Sequence, residues 1–356
     1  MEQIGKLTAI LLTLACIAAS SAWAEENRAA SQEAPAALKS PAQGEEKNTP
    51  PRGIYSSHVI GKEADSLRPA FVKGGLVRVF WSDIEPKPGQ YDFSVIEAQL
   101  QGVRRYGKLW SLAVLAGPRA PDWLFDEGAG SMEIRFRGER TRIVPYWDLL
   151  LQARLKLLAE ALGKKYGNDE TLKLVYVPQA TSNGIEGHFN GNRYEDLQRQ
   201  GFTPDKWVRA AGEAIDSFYR AFPQKYLAFE VHEIGTVETP ERIMRLIEKS
   251  YRDRVGIAVW WLSGRENYQN ALLQEVRDFR GYKYAQAIGR SDQGRRFGAG
   301  GYGGMFEQAK KLGIRYIEVW NYEITRNRNP EVTQSIEGFS RTQPGSHPIH
   351  RGVQSQ

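Results

Sequence analysis

The 356-residue sequence contains one cysteine, Cys16. It therefore has no intrachain disulfide, and its stability has to come from a packed core. Five histidines, at 58, 188, 232, 347 and 350, lack the spacing of metal ligands, so no metal site is expected. No glycine-rich loop ends in Lys-Ser or Lys-Thr. The glycines from Gly298 to Gly304 run into a helical pattern without that pair, and no phosphate-bearing or other cofactor is expected. Beyond residue 24 no apolar run approaches the roughly 20 residues of a membrane span. The net charge of +6 comes from 48 basic and 42 acidic residues that are interspersed, which gives no clustered face for nucleic acid. The densest basic groups, Arg290 to Arg296 and Arg326 to Arg328, suit either an anionic polysaccharide or plain solvation.

At the start of the chain, Lys6 is followed by an apolar run from Leu7 to Ala19 and by Ala22-Trp23-Ala24, the small-x-small pattern of a signal-peptidase site. Residues 1–24 are expected to be a signal peptide and the protein to be periplasmic or secreted. Thr13-Leu14-Ala15-Cys16 partly resembles a lipobox, which leaves a lipid anchor at Cys16 as the other reading. Residues 25–52, rich in Ala, Pro, Glu, Gln and Ser, hold almost no large apolar side chain and are expected to be a disordered linker. A loose basic tail is expected over 326–356, where Pro330, Pro344 and Pro348 fall.

Between these ends, apolar runs of strand length alternate with helical patterns. Strands are predicted near 54–59, 76–80, 109–115, 172–177, 226–232, 257–262, 282–288 and 314–320. Helices are predicted near 63–73, 94–106, 147–165, 204–221, 239–252, 267–279 and 303–312. Eight parallel strands closed on themselves give a (β/α)8 barrel, a single α/β domain over 53–325, with its chemistry where strands end and βα loops begin. The segment 118–147, with Arg135, Arg137, Arg140 and Arg142, is read as a long loop overhanging that face.

Two segments are more specific. Trp81-x3-Glu85-Pro86-x2-Gly89-x-Tyr91-Asp92-Phe93 joins a strand to a turn and a new helix, and Gly107 to Leu124 carries a strand and a Pro121-Asp-Trp123-Leu loop. Both resemble the N-terminal barrel of family-42 beta-galactosidases and their relatives in the large clan of retaining glycoside hydrolases, loosely over 52–330. The resemblance implies a carbohydrate substrate, two catalytic carboxylates and retention of configuration. It also implies an acid/base after the fourth strand, where Glu186 stands, with Ile185 before it and Asn183 three residues earlier. The clan's nucleophile follows the seventh strand, where this sequence has Gln286 and, further on, Asp292.

Period-two alternation in the last strand turns Tyr316, Glu318 and Trp320 inward. Glu318 is thus the provisional second catalytic carboxylate or, on the structural reading, a partner of Arg78 or another inward base. Glu323 at the rim is a further candidate. In the fifth strand Ala228, Glu230 and His232 share one face, and Glu233 stands at the exit. Trp81, Trp123, Trp260, Trp261 and Trp320 at strand ends suit the apolar faces of sugar rings, alternation letting only one of Trp260 and Trp261 face inward, and Asn183, His188, His232, Glu233 and Gln286 suit their hydroxyls. The expected function is a glycoside hydrolase acting on a poly- or oligosaccharide. The alternatives are a barrel that binds polysaccharide without cleaving it and a barrel of different chemistry, such as a lyase.

Overall fold

Residues 49–342 are described by a computed structural model of the chain. The expected signal peptide, the Cys16 anchor, most of the linker and the last part of the tail lie outside the described residues.

Eight strands close into a parallel barrel in which each neighbours the next in sequence and the eighth pairs with the first. They are Gly53–Ser56, Val72–Phe80, Leu109–Leu115, Leu172–Tyr176, Tyr226–Glu230, Val255–Leu262, Lys283–Ala287 and Tyr316–Val319. All eight fall where the apolar runs put them; the first is shorter than expected and the second begins four residues earlier. Helices Ser94–Arg105, Leu149–Tyr166, Pro204–Ala221, Glu238–Ser250, Asn270–Asp278 and Gly301–Lys311 cover the outside. Local chemistry sets several starts. Asp148 accepts from the backbone N–H of Leu150 and Leu151, and Thr203 caps a helix that opens on Pro204. The turn from 61 to 67, expected to be helical, is a 3-10 segment.

Alternation along each strand divides the core in two. Outward side chains such as Leu227, Phe229 and Val231 pack under the helices. Inward ones, among them Tyr55, Leu76, Ala113, Leu174, Tyr176, Ala228, Ala258, Tyr284 and Tyr316, fill the barrel. Large tyrosines beside alanines let the layers interdigitate, but each phenol buried there needs a hydrogen-bond partner. That requirement bears directly on Glu318.

Two stretches correct the sequence reading. The expected long loop contains an antiparallel hairpin, Met132–Phe136 with Glu139–Ile143, turning through Arg137 (φ 54°) and Gly138 (φ 91°). Met132, Ile134 and Ile143 bury one face while the arginines stay outside. The described part of the expected loose tail is also folded: Pro330–Arg341 is a helix capped by Asn329, with Val332, Ile336 and Phe339 packed into the outer core.

Candidate active site

The loop after the fourth strand carries Glu186 in a tight arrangement. Gly184 has φ 90°, and a Cβ there would stand 2.3 Å from the Ala116 carbonyl oxygen, so only glycine lets this loop close on the third strand's exit. Asn183 folds back over it: its Oδ1 accepts from the Glu186 N–H at 2.9 Å, and its amide donates to Glu186 Oε1. The next residue, Gly187, donates its N–H to Glu230 Oε2 at 2.6 Å. Thus the last residue of the fifth strand anchors the loop that presents Glu186.

Glu186, Glu230 and His232 each bring a potential ligand atom to within 4.8 Å of the others. The metal-ligand spacing absent from the sequence is therefore approached in the fold. Glu230, however, is 1% exposed. Its two oxygens already accept from peptide N–H groups, of Gly187 and of Trp260 (3.3 Å). Burial favours the neutral, proton-bearing form of each carboxyl. Two carboxyls so close in a desolvated place do not both ionise. Burial, and then the neighbouring Glu230, push Glu186 up to about 7. Burial raises Glu230 as well, opposed by its two N–H donors. Glu186 keeps 24% of its side chain exposed, so it is the member of the pair that faces the barrel mouth.

His188 and His232 lie beside the pair, their rings tilted at 60° with centroids 4.9 Å apart. Burial holds both neutral, lowering His188 to about 3 and His232 to about 4. His188 Nδ1 accepts from the Asn190 N–H, which leaves its Nε2 carrying the hydrogen, 3.7 Å from Glu186 Oε2. His232 Nδ1 lies 3.4 Å from Glu230 Oε1.

Glu318 is inward, as alternation requires, but it is not at the mouth. It is 0% exposed and accepts from Ser111 Oγ (3.2 Å), Tyr176 (2.9 Å), Tyr316 (2.5 Å) and the Gln286 amide (2.7 Å). With both oxygens engaged below the surface, Glu318 accepts from two of the barrel's phenols, Tyr176 and Tyr316. These contacts favour the structural reading of Glu318 over the catalytic one, with hydroxyls and an amide as its hydrogen-bonding partners. Glu323 is likewise occupied, by Ser291 and Asn327, and Asp292 pairs with Arg290 at 2.8 Å.

The aromatic residues divide. Trp81 is 0% exposed and donates its indole N–H to Glu85 Oε2 at 2.6 Å, while Glu85 Oε1 accepts from Gly89. The Trp81–Glu85–Gly89 motif thus builds its own turn. Trp261 packs in the outer core and donates to the Val231 carbonyl; Trp260 is the inward one, edge-on to Tyr176 at 5.2 Å. Trp123 and Trp320 are half-buried, tied by indole N–H bonds to the carbonyls of Glu85 and Ala287. Glu233 accepts from Leu272 N–H at 3.3 Å. In the sequence Glu230 shared a face with Ala228 and His232 but was not singled out for the site.

A closed parallel barrel with a raised acid after its fourth strand defines an architecture shared by sugar-cleaving barrels. The chain belongs to glycoside hydrolase family 42: the family profile described as Beta-galactosidase matches residues 59–254, more than half of it. The matched part contains Glu186 and Glu230 and ends before the sixth strand. No curated protein matches the chain by sequence. Among solved structures, the beta-galactosidase from the psychrophilic Marinomonas ef1 is similar at 10% identity and TM-score 0.55, covering 81% of this chain and 59% of that one. The beta-galactosidase from Bacillus circulans sp. alkalophilus is similar at 10% identity and TM-score 0.57, covering 83% and 56%. These likenesses show the fold, and the chain spans less than two thirds of either structure.

Proposed function

We propose that the chain is an exported glycosidase that cleaves a poly- or oligosaccharide with Glu186 as its acid and base. The observation that carries this reading is the partly exposed Glu186 at the barrel mouth against the buried Glu230, where burial pushes it up to about 7. Family membership supports the reaction class, and the leader-like sequence over 1–24 supports export.

Glu186 gives its proton to the glycosidic oxygen as the bond from the anomeric carbon to that oxygen breaks. Where the clan has its nucleophile, Gln286 is committed to Glu318. Charge on the oxocarbenium centre is therefore met by the Glu186–Glu230 pair, which carries one negative charge once the proton has left. Water then adds on the face vacated by the leaving sugar and returns a proton to Glu186, so configuration is retained without a covalent intermediate.

Glu186→Gln should lower turnover of an unactivated substrate about 100-fold or more while leaving the fold intact. The check is a reducing-end assay over a polysaccharide panel, with the product anomer followed by NMR. Near-normal turnover in this variant would remove Glu186 from the role, and an inverted product would exclude front-face addition.

A further inference from the structure

Several arginines on the outer helices stand beside an acid one turn away, as in Arg209–Glu213, Arg220–Asp216 and Arg245–Glu241. Around Glu186 the pattern changes. Arg78 points inward from the second strand, between Leu76 and Phe80, and its charge acts on both Glu186 and Glu318. Its guanidinium, half-buried, makes no hydrogen bond or ion pair with any described residue. Arg137, at the tip of the hairpin, bears on Arg78 as a like charge and holds a φ of 54°, a conformation costly for a side chain other than glycine. Arg119 stacks over Phe80 at 4.5 Å, and Arg296 acts on Glu186 from the loop after the seventh strand. None of the four has a carboxylate within 4.0 Å among the described residues.

Arginines that no carboxylate pairs within 4.0 Å, one of them half-buried with five N–H donors that no described residue engages, are placed to receive an anion. Planar guanidinium groups bind carboxylate or sulfate oxygens two at a time. Resting on the glycosidase reading, we propose that the substrate is an acidic glycan, with a carboxylate or sulfate group close to the bond that is cleaved. Arg78 and Arg137 form the contact nearest the reacting bond, while Arg119 and Arg296 draw the chain in from the rim.

The full chain is assayed on alginate, on chondroitin sulfate, on carboxyl-reduced and desulfated chondroitin, and on neutral galactan and xylan. Hydrolysis is read as reducing ends. Binding is read by retardation of the Glu186→Gln protein in gels holding each glycan. Acidic glycans are expected to be cleaved and bound best, with binding weakened by added salt. Loss after carboxyl reduction identifies a uronate, and loss after desulfation a sulfate ester. Arg78→Gln should weaken retention of the acidic ligand about tenfold or more, and retention at the wild-type level overturns the inference. Should that variant fail to fold, Arg137→Gln, on the exposed hairpin, tests the same point. Cleavage of a neutral glycan with no preference for acidic ones overturns this inference and leaves the glycosidase reading in place. Retention of acidic glycans without cleavage of any does the reverse, and neither cleavage nor retention overturns both.

Discussion

Glu186 and Glu318 are both buried glutamates inside one barrel, and their neighbours separate their roles. Glu186 faces a second carboxyl and an opening, whereas Glu318 faces four hydrogen-bond donors and no opening. Because Glu186 is raised to about 7 from a usual value near 4.5, it holds its proton in the fold at pH values where the unfolded chain has lost it. Its contribution to stability is thus fully present below the unfolded value and is lost as pH rises through about 7, by at most about 3 kcal/mol. Urea titrations of wild type and Glu186→Gln from pH 4 to 9 should show that difference closing in the variant. The rate should fall through the same window, since the acid form is the one that works. Glu318→Ala should instead cost about 3 to 5 kcal/mol in chemical denaturation, because four donors lose their acceptor inside the core. Added azide should restore no turnover; rescue by the anion would return Glu318 to the chemistry. Alternation in the sequence was enough to turn Glu318 inward and to put Glu230 on one face with His232, but it gives direction without depth. Trp261 shows the same limit. Every residue of Val255–Leu262 is buried, so polarity gives no sign of which of the paired tryptophans faces in.

The barrel strands were legible as elements because each is a short apolar run, which buries on both faces only in a parallel sheet covered by helices. The hairpin was hidden by its arginines. Its signal was nonetheless present, since Met132, Ile134 and Phe136 alternate with charge, and a two-residue Arg137-Gly138 turn follows. The last helix was obscured by the prolines and basic residues around it, although Asn329-Pro330 is a helix start and Val332, Ile336 and Phe339 recur on one face. Removing the chain from Pro330 onward should therefore destabilise the barrel by about 5 kcal/mol, the burial of three large apolar side chains. Phe339→Ala alone should cost about 3 kcal/mol or more. Thermal melts of both proteins decide it: midpoints within a degree or two of wild type would return this segment to a loose tail.

At the scale of the molecule, one carboxylate joins four of the eight strands from inside. Glu318 takes hydrogen bonds from Ser111 on the third strand, Tyr176 on the fourth, Gln286 on the seventh and Tyr316 on its own. Closure and polar satisfaction are thus the same feature, and Gln286 is part of it. The glutamine that departs from the clan's pattern is thereby explained as the amide donor this acceptor needs. Gln286→Glu would place a glutamate at the strand position where the clan has its nucleophile, yet it should not improve catalysis. The new carboxyl would lie against Glu318 where the amide stood at 2.7 Å, and the pair would have to hold a proton. Below about pH 5 that proton is available and the barrel should be close to wild type in stability. As pH rises, keeping it bound, or separating the two charges, should cost about 3 kcal/mol or more. Melting curves at pH 5 and pH 8 test this directly. A variant equally stable at both values, with turnover above wild type, would show that the seventh strand can supply the nucleophile after all and that Glu318 tolerates an acid beside it.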